Sequence, residues 1–93
     1  MKDLPTDVVA YKKTPEFDEN TVPKGLLKAH QTKEGVWGKI IILAGQLEYR
    51  ILAPQNETLV LSPAQHGVVE PTMLHQVKPL GPVKFYVEFY QRP

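Results

Sequence analysis

The chain contains no cysteine. That excludes disulfides, thiolate metal sites and a cysteine nucleophile. Any metal would rest on His, Asp, Glu or water, and there are only three histidines to offer. Charge of either sign is also scarce in net terms, at +1, so nothing in the balance calls for nucleic acid or an anionic membrane as partner. Long apolar runs are missing too. Ile40 to Ala44 is the longest, far short of a membrane span. The opening Met-Lys-Asp-Leu-Pro-Thr-Asp has no apolar stretch of the kind a signal peptide needs, so a cytoplasmic protein is expected. Catalytic signatures are absent as well: no G-x-S-x-G, phosphate-binding loop, G-x-G-x-x-G, H-E-x-x-H or calcium loop.

What is present is one domain's worth of ordinary globular sequence, 93 residues with 42% hydrophobic content. A chain of this size buries only about 60–65% of its unfolded surface. A homodimer, which would enlarge that burial and cover exposed strand edges, is therefore expected. Residues 1–12 read as a strand or arm free to pack on a partner subunit.

Prolines and glycines interrupt the chain at short intervals, and no segment carries a capped helical stripe. The pattern predicts seven or eight short strands, hence an all-β sandwich or barrel of two antiparallel sheets. Strands are expected near Val8–Lys13, Leu26–Thr32, Trp37–Leu43, Gln46–Leu52, Glu57–Leu61, Gly67–Glu70, about Met73–Lys78, and Val83–Tyr90. Trp37–Leu43 is β-branched enough to suit burial on both faces. Ala44-Gly45-Gln46 and Leu80-Gly81-Pro82 read as turns. Alternation places Ile40, Ile42, Leu47, Tyr49, Ile51, Leu59, Leu61, Val77, Phe85 and Val87 in the core.

His75 lies on the apolar face of its strand, between Met73 and Val77. A buried imidazole needs a hydrogen-bond partner or a metal, so it is either a satisfied core histidine or a ligand. His30 ends an early strand, where sites at a barrel mouth occur. His66 and Glu34 read as exposed loop and turn residues. Glu88 shares a face with Tyr86 and Tyr90, and periodicity leaves open whether that face is solvent or pocket. Trp37 fits a core position or a pocket wall. Trp37, Lys39, Tyr49 and Tyr86 are the candidates for lining a ligand pocket.

Several stretches together resemble a known family: Val22-Pro23-Lys24-Gly25-Leu26-Leu27; His30-Gln31-Thr32-Lys33-Glu34-Gly35-Val36-Trp37-Gly38-Lys39; Gly45-Gln46-Leu47-Glu48-Tyr49; Gly67-Val68-Val69-Glu70-Pro71 leading to His75-Gln76-Val77; and Gly81-Pro82-Val83-Lys84-Phe85 with Glu88-Phe89. The likeness is to a small cupin-like family found stand-alone and as the N-terminal domain of tellurite-resistance proteins B, ahead of an S-adenosylmethionine-dependent methyltransferase domain. It implies a single cupin-like domain over residues 1–93, a compact double-stranded β-helix (jelly-roll) barrel. Pro71 and His75 match the second cupin motif. The first is incomplete: His30 has no histidine two residues away on either side, and seven residues before Gly45 stands Gly38 rather than a glutamate. The methyltransferase domain is not represented in these residues.

The resemblance implies binding of a small ligand or oxyanion in a tellurite or stress response. One divalent metal (zinc, iron, nickel or manganese) could rest on His30 and His75, with Glu88 as the available carboxylate. A small metalloenzyme and a plain dimerising domain are the alternatives. A metal would stand about 2.0–2.2 Å from the ring nitrogens; without one, the His30 and His75 rings are expected within about 8 Å, bridged by water or an anion, and in either case with Trp37 close by.

Overall fold

The computed structural model describes all 93 residues. Seven strands form one antiparallel sheet: β1 (Val9–Lys13), β2 (Phe17–Asp18), β3 (His30–Gln31), β4 (Trp37–Ala53), β5 (Glu57–Leu61), β6 (Gly67–Val69) and β7 (Leu74–Gln91). A single 3-10 turn covers Lys24–Leu27. The chain is all-β, as its turn spacing implies, and no helix is long and apolar enough to cross a membrane.

β4 and β7 pair along their whole length and form the spine. The far edge of β7 carries β1, β2 and β3 in succession, and the far edge of β4 carries β6 and then β5. A straight strand of 17 residues would reach about 56 Å at a rise of about 3.3 Å per residue, yet the longest dimension of the molecule is 36 Å. β4 must therefore bend. Register shifts between Ile42 and Ala44, and between Gly45 and Leu47, mark the place. The expected pair of sheets is thus one sheet folded so that its two halves face each other. The turns expected at Gly45 and Gly81 are positions inside continuous strands, both with positive φ.

The bend explains a change of phase in the sequence. Ile40 and Ile42 point inward from even positions, whereas Leu47, Tyr49 and Ile51 point inward from odd ones, and all five share one core. The bulges absorb the odd residue. β7 keeps a single phase, with His75, Val77, Val83, Phe85 and Val87 all buried. The expected core positions are buried except Leu59, which is half-buried against the cluster. Val22, Val69, Met73 and Val83 complete the cluster. Trp37–Leu43 is not buried on both faces: Ile41 is half-buried and Leu43 exposed, because β4 has solvent behind it there.

The segment before β4 also departs from expectation. Leu26–Thr32 is not one strand. The 3-10 turn takes Lys24–Leu27, and only His30 and Gln31 pair, opposite His75 and Leu74. The preceding loop is held by its own polar groups. Asp18 Oδ1 accepts hydrogen bonds from the Asn20 and Thr21 amides at 2.8 and 2.9 Å, and Glu19 accepts one from the Val83 amide at 3.1 Å. Those bonds to Asp18 hold its carboxyl below the usual carboxylate range. Val22 anchors the loop in the core.

Candidate functional site

A cavity of about 480 Å³ opens between that loop and the inner face of the sheet, a size ordinary for small-molecule sites. Ile40, Val69, Val77, Phe85 and Val87 supply its apolar wall, and Pro23 and Leu26 close over it from the loop. Two imidazoles enter this apolar space. His30 and His75 are register partners on β3 and β7, and their rings stand 5.3 Å apart, edge to face. Position in the ladder accounts for the meeting: directly opposed residues on adjacent strands project to the same side.

The two rings differ in environment. His30 is exposed and His75 is 5% exposed. His75 Nδ1 lies 3.0 Å from the Met73 carbonyl oxygen. A carbonyl only accepts, so Nδ1 carries the proton and donates it, and in the neutral ring Nε2 keeps a lone pair. Burial holds the His75 imidazole below its ordinary value; the Met73 bond opposes this, and repulsion from His30 adds to it. The site therefore offers an acceptor nitrogen on a neutral ring, set among apolar side chains. Tyr49 backs it, with its ring 6.0 Å from that of His75 and its hydroxyl donating to the Val68 carbonyl at 2.9 Å. Burial pushes the Tyr49 hydroxyl far up.

A pH dependence of stability follows. An unfolded chain takes up a proton at His75 near 6.5, before the folded one does. The stability carried by a neutral His75 is complete above about 6.5 and is lost as pH falls through the lowered folded value. Urea unfolding at pH 7.5 and pH 5 should show a lower midpoint at pH 5, and a His75→Gln variant should show a smaller difference between the two. Any loss from Asp7 and Asp18, whose carboxyls are also held low, belongs to a more acid range, at and below about 4.

The remaining predicted residues lie elsewhere. Glu88 does not face the histidines. Alternation along β7 sends Phe85, Val87 and Phe89 into the cavity and Tyr86, Glu88 and Tyr90 to the other face. There Tyr90 donates a hydrogen bond to Glu88, and Lys13 and Lys39 are its register neighbours. Burial first, then that bond, pushes the Tyr90 hydroxyl up to about 12. Tyr86 and Lys39 belong to this outer face and do not line the cavity, and Lys13 lies over the Tyr86 ring at 5.7 Å. Trp37 is buried under the Arg92 guanidinium, 4.8 Å from its ring, away from the histidines. Tyr49 is packed core behind His75 rather than cavity wall. No group of three or more His, Asp or Glu side chains gathers anywhere in a form that could hold a metal ion.

The cavity residues that sequence reasoning missed are mostly apolar: Phe17, Leu26, Val69 and Phe89, with Lys12, Gln31 and Lys33 at polar positions. Phe17 and Leu26 sit in stretches with no periodicity, so nothing in the pattern marked them.

The model of the TehB-like domain matches residues 12–87, most of the chain. The chain belongs to the TehB-like domain family. It is 28% identical over 82 residues to a probable S-adenosyl-L-methionine-dependent methyltransferase TehB of Haemophilus influenzae, covering 84% of this chain and 29% of that protein. The crystal structure of TehB from Haemophilus influenzae superposes with a TM-score of 0.84 at 27% identity, over 94% of this chain and 32% of that one. A protein of Escherichia coli K12 superposes over 100% of this chain and 99% of its own, with a TM-score of 0.89 at 20% identity, which shows a shared fold. This TehB-like chain spans less than a third of the length of the TehB proteins it matches.

Proposed function

We propose that this TehB-like domain is a small-molecule-binding module of the cupin kind, with the ligand seated in the cavity against His30 and His75. The observation that carries the reading is the pair of facing imidazoles beside the apolar wall of a cavity of about 480 Å³. An apolar wall favours the body of a small organic molecule, and a few convergent polar groups fix its orientation. The kinship with TehB supports a reading in which this binding serves a tellurite or related stress response. Methyl transfer is not assigned to this domain, because no glycine-rich loop follows a strand in it. A homodimer is part of the proposal, since β1 and β5 are sheet edges that a second copy would cover.

The same imidazole pair favours a second reading, a divalent ion held by His30 and His75. Two protein ligands would leave the other coordination positions to water or substrate. Elemental analysis of untagged protein prepared without chelator separates the two, with stoichiometric zinc, iron, nickel or manganese supporting the second.

The first reading is tested with a neutral apolar fluorophore, N-phenyl-1-naphthylamine. Saturable fluorescence enhancement is expected. Leu26, half-buried over the cavity, should act as a gate: Leu26→Trp should weaken binding by about tenfold or more while leaving Tm within a few degrees, as near-surface substitutions do. Unchanged affinity in a folded Leu26→Trp variant would contradict the cavity as the site.

A further inference from the structure

We infer that the cavity selects anionic amphiphiles: small organic carboxylates whose apolar body enters the fold while the head stays at the mouth. The inference rests on the cavity being a ligand site and adds the class of ligand.

The argument starts from charge. The chain carries ten acidic residues, yet none lines the cavity. Two lysines do, Lys12 from β1 and Lys33 from the turn before β4, and both are exposed. Lys12 is held near the rim by its position over the Phe89 ring, 5.8 Å away. The only other ionisable side chains on the lining are His30, His75 and Tyr11. The lining is thus cationic with no carboxylate of its own, and two lysines beside an apolar opening attract a negative head.

The interior argues against a bare inorganic anion. Beyond the rim the wall is mostly apolar, Ile40, Val77, Phe85 and Val87, with only the hydroxyls of Thr14 and Thr32 among them, and such a wall repays little of the desolvation of a bare charged oxygen. His75 adds nothing for an anion there, because its Nδ1 proton is spent on the Met73 carbonyl and Nε2 presents a lone pair. Charge at the rim with apolar walls inside fits a ligand that is itself divided in that way. A donor group on its buried end, such as a hydroxyl, would meet Nε2.

The test compares 4-phenylbutyrate, 4-phenylbutan-1-ol and 4-phenylbutylamine, which share one apolar body and differ in head charge. Titration calorimetry at pH 8 and low salt is expected to rank them carboxylate, alcohol, amine, with the carboxylate about tenfold tighter than the alcohol, as two nearby partly solvated charges allow. The preference should shrink in 0.5 M salt. In the double variant Lys12→Glu/Lys33→Glu, both at exposed positions, the order of carboxylate and amine should reverse. Equal binding of all three would overturn the anionic preference and leave the cavity reading standing. Binding of none would remove both. Competition by sulfate at affinity equal to the carboxylate's would also overturn the inference, since the apolar body would then contribute nothing.

Discussion

Gly45→Ala is expected to destabilise the domain by on the order of 3 kcal/mol or more, the range of mutations that force the backbone to move. Gly45 has φ +79°, where a side chain is strained. Conformation is the smaller part. A Cβ at this position would come 2.1 Å from the Pro82 carbonyl oxygen and 2.9 Å from the Val83 Cα. Those atoms belong to the neighbouring backbone of β7, which cannot rotate away as a side chain could. The bend of β4 lies here, so relief of the clash would open the contact on which the folding of the sheet depends. Thermal unfolding should show Tm lowered by more than about 10 °C for a domain of this size. Gly81→Ala provides the control. Gly81 also has positive φ, +96°, but nothing lies within 4 Å of its missing Cβ. It should lose only the conformational part, about 1 kcal/mol. Equal losses at the two sites would mean that the close approach at Gly45 is not what holds the bend.

Phe85→Ala should cost about 3–5 kcal/mol, a large share of the stability available to a small domain. Phe85 is fully buried, and its ring meets that of Phe17 edge to face at 5.7 Å. It also opposes Ile42 across the β4–β7 ladder. Because one side of the ring already borders the cavity, the loss should fall at the lower end of that range. Phe17→Ala, at a half-buried position, should lose clearly less. Urea denaturation of both variants reads the difference. The apolar probe should still bind a folded Phe17→Ala protein, since the β7 wall of the cavity is intact.

How far the sequence discloses this molecule depends on the kind of signal. The inward set on β7 was legible because its two halves, His75 with Val77 and Val83 to Val87, keep the same phase across the positions that read as a turn. The set on β4 was legible only in two pieces, and the change of phase at Gly45 resembles a hairpin turn when read locally. Glycine with positive φ serves both a turn and a bulge. Only the length of the pairing partner decides between them, and that partner is about forty residues away in sequence.

The site divides in the same way. His75 stood on an apolar face and could be placed inward. Its meeting with His30 came from the family resemblance, because β3 is two residues long and has no periodicity of its own. Glu88, Tyr86 and Lys39 lie outside the cavity for a reason alternation contains but cannot resolve: it groups them on one face without saying which face is inside. Trp37 shares that fate, being buried beneath Arg92 on the other side of β4. Lys12 and Lys33 gave no signal at all, since exposed lysines are unremarkable until a cavity is seen between them.

The most direct test of the cavity as a ligand site is an NMR titration with 4-phenylbutyrate, reading intermolecular NOEs from its ring protons. The expected result is saturable binding with NOEs to the His75 ring, Phe85 and Val77. Saturable binding with NOEs confined to residues on the outer face, such as Tyr86 or Trp37, would contradict it.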